Sequence, residues 1–167
     1  EHVTVALSGD GGDELFGGYG RYRSAMRPAL FGGRKMRRRG VFDGLDVLRA
    51  PMTGWRDGIA AAEMANGLEG RTKLQIAQAV DCADWLPHDL LTKLDRCLMV
   101  HGLEGRTPFL DRDVAAAAFR LPDRLKVRGR LGKWLLRKWL SEKLPAANAF
   151  SEKRGFTVPV GAWIFRK

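Results

Sequence analysis

Apolar positions recur along this chain with two different spacings, and they predict one strand and several helices. Val3 to Leu7 is a short run of β-branched and apolar residues, which reads as a buried strand. Ser8 to Gly12 is small and Gly-rich, so the chain can turn sharply there and bring backbone N–H groups close to a ligand. Asp13-Glu14-Leu15-Phe16 reads as a first helical turn, with carboxylates where the helix dipole favours them. Tyr19 to Ala29 continues as a helix that ends near Pro28, and Gly32-Gly33 then breaks the chain. Residues 41–66 suggest two short helices separated by Pro51-Met52-Thr53-Gly54. The stretch between Arg23 and Ile76 carries no legible functional signal.

Later periodicity is clearer. Pro87 opens a helix in which Leu90, Leu91, Leu94, Cys97 and Leu98 fall on one face. His101 follows in a turn, and Glu104 to Pro108 is a polar loop before a buried Phe109-Leu110. Asp111 is placed to cap a helix running through Val114 to Phe119, which ends before Pro122. Leu131 to Leu144 is a further helix striped by Trp134, Leu135, Trp139 and Leu140, with Lys133, Arg137 and Lys138 off the stripe. Pro145 ends it, and Phe150 to Pro159 is an irregular loop carrying Lys153 and Arg154. The chain is therefore predominantly helical with one strand. A lone strand must pair with something, so the rest of its sheet is expected in a part of the protein preceding this sequence. Gly67-Leu68-Glu69-Gly70-Arg71-Thr72 echoes Gly102-Leu103-Glu104-Gly105-Arg106-Thr107, but the flanking apolar positions do not repeat as a solenoid requires.

Composition narrows the class only modestly. The 167 residues suffice for one domain with a sizeable core, and the 45 % apolar content is ordinary. No apolar run approaches the roughly 20 residues that span a bilayer. The chain opens Glu-His and enters a strand at once, without a secretory signal or initiator Met, and reads as the interior of a longer, cytoplasmic protein. Cys82 and Cys97 read as two reduced core cysteines. The net charge of +10 is uneven: Leu15 to Phe42 contains no acidic residue but carries Arg21, Arg23, Arg27, Arg34, Lys35, Arg37, Arg38 and Arg39. Such a block could attract nucleic acid, be a solvated loop, or pack on an acidic surface elsewhere in the parent protein. No aromatic residue lies between Phe31 and Phe42 to stack a base, so nucleic acid is not the expected partner.

The chemistry gathers in the opening stretch. A strand, a Gly-rich turn and a helix start form a phosphate-binding arrangement. Asp10 and Asp13 would repel a polyphosphate unless a hard cation sat between, and Mg²⁺ is the usual one. The segment lacks the Gly-Lys-Ser/Thr of a Walker A loop. It contains Gly9-x-Gly11, but Glu14 stands where a dinucleotide fingerprint needs its third glycine. On spacing alone, a metal–nucleotide role and a plain structural strand–turn–helix both stay open.

Three motifs carry a resemblance. Leu7-Ser8-Gly9-Asp10-Gly11-Gly12-Asp13-Glu14-Leu15-Phe16-Gly17-Gly18-Tyr19 resembles the second nucleotide-site motif of glutamine-dependent asparagine synthetases and their amidotransferase relatives. Leu86-Pro87 through Asp95-Arg96 and then His101 to Asp111 form the second match, and Leu144-Pro145 followed by Lys153-Arg154-Gly155-Phe156-Thr157-Val158-Pro159 the third. The resemblance implies an α/β fold: residues 1–167 would be the C-terminal portion of a Rossmann-like ATP-pyrophosphatase domain of the adenine-nucleotide α-hydrolase type. It implies that an aspartate side-chain carboxylate attacks the α-phosphorus of ATP, that pyrophosphate leaves, and that ammonia made from glutamine displaces AMP from the β-aspartyl-adenylate.

The same resemblance assigns roles. Asp13 matches the Mg²⁺ ligand, and Ser8 and Gly9 the pair that contacts ATP, with Gly11 in the same turn. Asp10 stands where asparagine synthetases have Glu, a position linked to adenylate handling and ammonia deprotonation; its side chain is shorter by about 1.5 Å, one C–C bond. Lys153 matches the lysine that stabilises charge on departing pyrophosphate. Glu104 matches an acid of the catalytic dyad in β-lactam synthetase relatives, but Asp10 stands where its Tyr partner would be. A structural or salt-bridging role for Glu104, with Arg106, is the preferred expectation. The N-terminal Cys nucleophile of the glutaminase domain and the Ser-Gly-Gly-x-Asp-Ser motif are outside these residues, so the isolated stretch is not expected to catalyse the reaction. An amidotransferase acting on another carboxylate and a non-catalytic basic binding module are the alternatives, and a homodimer is left open.

Overall fold

A computed structural model describes residues 3–34, 36, 46, 49–50, 54–152 and 163. The fold is mixed, with many helices and few strands, and it divides into a unit ending at Leu136 and a short one beginning at Arg137. No helix among the described residues is long and apolar enough to cross a membrane.

The first unit starts with strand β1 (Val5–Leu7), which leads through the Gly-rich turn into the five-residue helix α1 (Gly12–Phe16). β1 pairs in parallel with β2 (Glu104–Arg106), with Val5 opposite Glu104 and Leu7 opposite Arg106. This corrects two expectations: the partner strand lies within the chain, and Glu104–Arg106 is strand rather than loop. A parallel pair needs a long crossover, and the helices between the two strands supply it. Gly105 permits the pairing, because a Cβ there would lie 2.8 Å from Leu98 Cδ1 on the helix packed over β2. The expected burial of the first strand is also corrected. Val3 and Leu7 are 64 % and 75 % exposed, because among the described residues the sheet has only two strands and no layer covers this face.

The crossover helices form the core. α2 (Gly20–Met26), α3 (Trp55–Asn66) and α4 (Lys73–Ala83) pack together around Tyr22, Met36, Leu74, Ala77 and Val80. Of the two helices expected in residues 41–66, the first lies outside the described residues. α4 is entered through a capping box: the Gln75 N–H donates to Thr72 Oγ1, and the Thr72 N–H donates to Gln75 Oε1. Its buried positions Leu74, Ala77, Gln78, Val80 and Asp81 recur at helical spacing.

A π-helical turn, Leu86–Leu91, leads into α5 (Thr92–Met99). Asp111 caps α6 (Arg112–Arg120) as expected, accepting the N–H groups of Asp113 and Val114. A second cluster joins Leu15, Phe16 and Ala118, with Phe16 and Phe109 edge to face at 5.8 Å. After α7 (Asp123–Lys126), a hairpin of β3 (Val127–Arg128) and β4 (Leu131–Gly132) precedes α8 (Trp134–Lys143), so the last long helix begins later than its apolar stripe predicts. Cys82 and Cys97 are free thiols; Cys82 is half-buried, whereas Cys97 is exposed, which corrects its placement in the core.

In the second unit, Arg137 Nη1 donates to Ala149 O at 2.8 Å and Ser151 O at 3.0 Å, which folds the segment after Pro145 back along α8.

A buried polar chain joins α4 to α1. Gln78, fully buried, donates from Nε2 to Glu14 O and, at 2.8 Å, to Leu15 O. Lys126 Nζ donates to Gln78 Oε1 at 2.9 Å, and burial lowers the pKa of that ammonium. The Glu14 side chain is 1 % exposed and accepts the Tyr19 hydroxyl at 2.7 Å; burial raises its pKa, and the Tyr19 bond offsets only part of that. Gln78→Ala should destabilise the full-length protein by about 3 kcal/mol, since it strands two buried carbonyls and leaves the Lys126 ammonium with the Phe119 carbonyl as its remaining acceptor; urea unfolding checks this. Because the folded-state pKa of Glu14 lies above 4.5, the contribution of this group to stability is fully present below that pH and is lost as pH rises through the raised value. Glu14→Gln keeps the acceptor for Tyr19 and should flatten this fall, measured as urea midpoints between about pH 4 and 7.

Candidate nucleotide and metal site

The site forms where the parallel pair ends. Ser8 N–H makes the last rung, donating to Arg106 O at 2.8 Å. Beyond it the chain folds on itself: Ser8 Oγ donates to Asp10 Oδ2, and the Asp10 N–H points back at Ser8 Oγ at 3.3 Å. The loop therefore lies at the carboxyl end of parallel strands, where open α/β sheets bind ligands.

The three loop glycines serve different needs. Gly9 has nothing within 4 Å of where a Cβ would be, so its side of the loop is open. Gly11 is buried with φ 85°, and a Cβ there would fall 2.2 Å from Leu110 Cδ2. Gly12 is pressed on the Phe109 ring, and a Cβ on it would lie 3.2 Å from Phe109 Cδ2. Ser8 and Gly9 thus face accessible space, while Gly11 and Gly12 let the turn sit flat on Phe109-Leu110.

Asp13 is one turn further on, and its surroundings are more elaborate than its position in a motif suggests. A Cβ at Gly18 would lie 1.7 Å from Asp13 Oδ1, so with the carboxylate in this position the residue there must lack a side chain. The Gly18 N–H also donates to the Asp13 carbonyl at 2.8 Å. Lys133 Nζ stands 3.2 Å from Asp13 Oδ1, with the two side chains 29 % and 24 % exposed. Lys133 has φ 55°, an uncommon conformation for a residue with a Cβ, and its N–H donates to Phe16 O at 3.0 Å. Gly132 allows this approach, since a Cβ there would lie 2.3 Å from Gly17 O. The β3–β4 hairpin thus delivers a cation to the carboxylate of the α1 helix.

Glu104 and Arg106 are paired at the other strand's end: Arg106 Nε donates to Glu104 Oε1 at 2.9 Å, and both side chains are more than half exposed. The bond to Glu104 raises the pKa of Arg106. Lys153 lies outside the described residues, as do Lys35 and Arg37 to Arg39 of the basic block. Among the described residues no group of three or more His, Cys, Asp or Glu side chains converges to hold a metal ion. Mg²⁺ is commonly held by one or two carboxylates together with substrate phosphates, and Asp13, partly exposed, fits that pattern.

Sequence reasoning missed Lys133, placing it among polar positions of a longer helix. The signal lay in Arg128-Gly129-Arg130-Leu131-Gly132-Lys133, where two glycines three residues apart mark a turn and a close approach rather than helix.

A profile of the asparagine synthase family matches residues 1–167. The chain is 29 % identical over 202 residues to an asparagine synthetase [glutamine-hydrolyzing] 1 of Bacillus subtilis, covering 98 % of this chain and 32 % of that protein. It is 26 % identical over 165 residues to asparagine synthetase B [glutamine-hydrolyzing] of Escherichia coli, covering 97 % of this chain and 22 % of that protein. An asparagine synthetase [glutamine-hydrolyzing] 1 of Arabidopsis thaliana is likewise 26 % identical, over 171 residues, with the same coverage. The chain therefore spans about a third or less of the length of these relatives. No solved structure matches it.

Gly18→Ala should displace the Asp13 carboxylate or the Gly17-Gly18 backbone, at a cost of about 1–3 kcal/mol. Thermal unfolding of the full-length protein measures this, and an unchanged midpoint would refute the close packing.

Proposed function

The chain belongs to the asparagine synthase family, and on that premise we propose that it supplies part of the ATP site of a glutamine-dependent carboxylate-amidating ligase. In this reading residues 1–167 are the C-terminal portion of a Rossmann-like ATP-pyrophosphatase domain, and a glutaminase domain elsewhere in the parent protein delivers ammonia. The carboxylate, taken to be the aspartate side chain, attacks the α-phosphorus of ATP, and the bond to the β-phosphate oxygen breaks. Ammonia then adds to the acyl carbon, the bond to AMP breaks, and one proton must leave the nitrogen.

The observation that carries the reading is the Asp13–Lys133 pair at 3.2 Å beside an open glycine loop. Asp13 would hold Mg²⁺, which when bound neutralises the pyrophosphate. Lys133 balances the Asp13 charge and adds positive potential where phosphate oxygens gather, so that a polyanion is not repelled. Ser8 and Gly9 offer the nucleotide a hydroxyl and an unobstructed backbone. Asp10 is the acceptor proposed for the ammonia proton, with its carboxylate oriented by the Ser8 hydroxyl. Lys153 is proposed, on its match to the family motif, as a second cation for the leaving pyrophosphate. Glu104 is occupied with Arg106, which favours a structural role over dyad chemistry.

A second reading keeps the chemistry and changes the substrate. Asp10 is both shorter than the family's Glu and drawn back onto Ser8, so the contact it makes with an acyl group differs from the one that Glu would make, which favours a carboxylate other than aspartate.

The test is ATP–pyrophosphate exchange by the full-length protein with Mg²⁺, with aspartate present or omitted. Aspartate-dependent exchange should be abolished by Asp13→Ala and reduced at least tenfold by Lys133→Ala, about 1.4 kcal/mol of transition-state stabilisation. Exchange with another carboxylic acid alone would move the substrate. Exchange with no acid would overturn the reading.

A further inference from the structure

A second concavity lies away from this site. It opens between α2, α3 and α4, beside the turn at Ala29–Phe31, and has a volume of about 580 Å³. Ligand pockets run from roughly 300 to 1,000 Å³. Its walls are aliphatic, from Met36, Ala60, Ile76 and Ala77. Among the described residues no aromatic ring lines it, so it lacks the platform on which nucleobases stack.

Among the described lining residues the charge is mostly positive. Arg27, Arg34 and Lys73 line the cavity and are exposed. The acid among the lining residues, Glu63, already has both oxygens 3.1 Å from Arg56 Nη2. The turn between the two arginines is defined by its backbone. The Gly33 N–H donates to Pro28 O at 3.0 Å, the Arg34 N–H donates to Ser24 O at 3.1 Å, and a Cβ at Gly33 would lie 2.2 Å from Arg27 O. A tight turn thus sets the backbone of two basic residues at the edge of an aliphatic hollow. Burial of an apolar body with a charge-assisted contact at the rim is the chemistry such a surface offers.

We propose that this cavity binds an amphiphilic organic anion, an aliphatic chain ending in a carboxylate or phosphate group. The proposal is independent of the ATP-site reading, because none of its residues belongs to that site.

Calorimetric titration of the full-length protein with octanoate and octyl phosphate tests it, with octanol as the uncharged counterpart. Saturable binding of either anion at one site per chain is expected, with octanol at least tenfold weaker. Arg34→Glu should weaken anion binding at least tenfold, and Ala60→Phe, which fills the hollow, should abolish it. Both variants should keep their pyrophosphate exchange, so a failure here is distinct from a failure at the ATP site. If Ala60→Phe does not fold, the exposed changes Arg34→Glu and Lys73→Glu decide the matter. Absence of saturable binding at millimolar anion, equal affinity for octanol, or indifference to the charge reversals would each overturn the proposal.

Discussion

A five-residue helix cannot hold itself together in water, because forming the first turn fixes more dihedrals than its hydrogen bonds repay. α1 carries Asp13 and closes the loop of Ser8 to Gly12, so the candidate site depends on whatever holds that helix. The Gln78 side chain does so, by occupying carbonyls that a single-turn helix leaves without partners. Lys126 fixes the other end of the same amide. The consequence runs outward: α4 must be placed by its capping box and by Leu74, Ala77 and Val80 before Gln78 can reach α1. The position of a surface carboxylate is thus set by a buried amide on a helix sixty-odd residues away.

The second constraint is steric. Gly17, Gly18 and Gly132 lie so close that a side chain on any of them would strike a neighbour. This closeness brings Lys133 to Asp13, and it holds Lys133 at a positive φ that costs of order 1 kcal/mol in a non-glycine residue. The conformation persists because the Lys133 N–H is used by Phe16 O and its ammonium by Asp13. Backbone strain and charge placement are two sides of one arrangement.

The first strand, turn and helix were legible because each residue type has one reason to be there: apolar for the strand, glycine for the turn, Asp and Glu for the helix start. The Asp111 cap was legible for the same reason. β2 was not, since Glu104-Gly105-Arg106 has no apolar residue; it is a strand because backbone bonds to Thr4 and Ser8 are available and Gly105 makes room for Leu98. Lys133 was hidden by the Trp and Leu stripe that follows it, whose helical spacing runs on into a segment that forms β4. Asp13 could be picked out by motif, but its cation could not, because a pair 120 residues apart in sequence leaves no local pattern.

These constraints explain why Glu14 is tolerated at 1 % exposure next to the site. A buried carboxylate is costly unless hydrogen-bonded, and Glu14 has the Tyr19 hydroxyl. Tyr19 is in turn covered by the Arg21 guanidinium, 3.9 Å above its ring, and Arg21 reaches the fully buried Asp81 at 2.8 Å. Asp81 lies on α4, the helix that also presents Gln78. Two polar connections therefore leave α1 and its flank and return to the same helix, one through the backbone carbonyls and one through side chains. A rotation of α1 that satisfied one would break the other, and that double tie leaves Asp13 a single orientation toward the hairpin that carries Lys133.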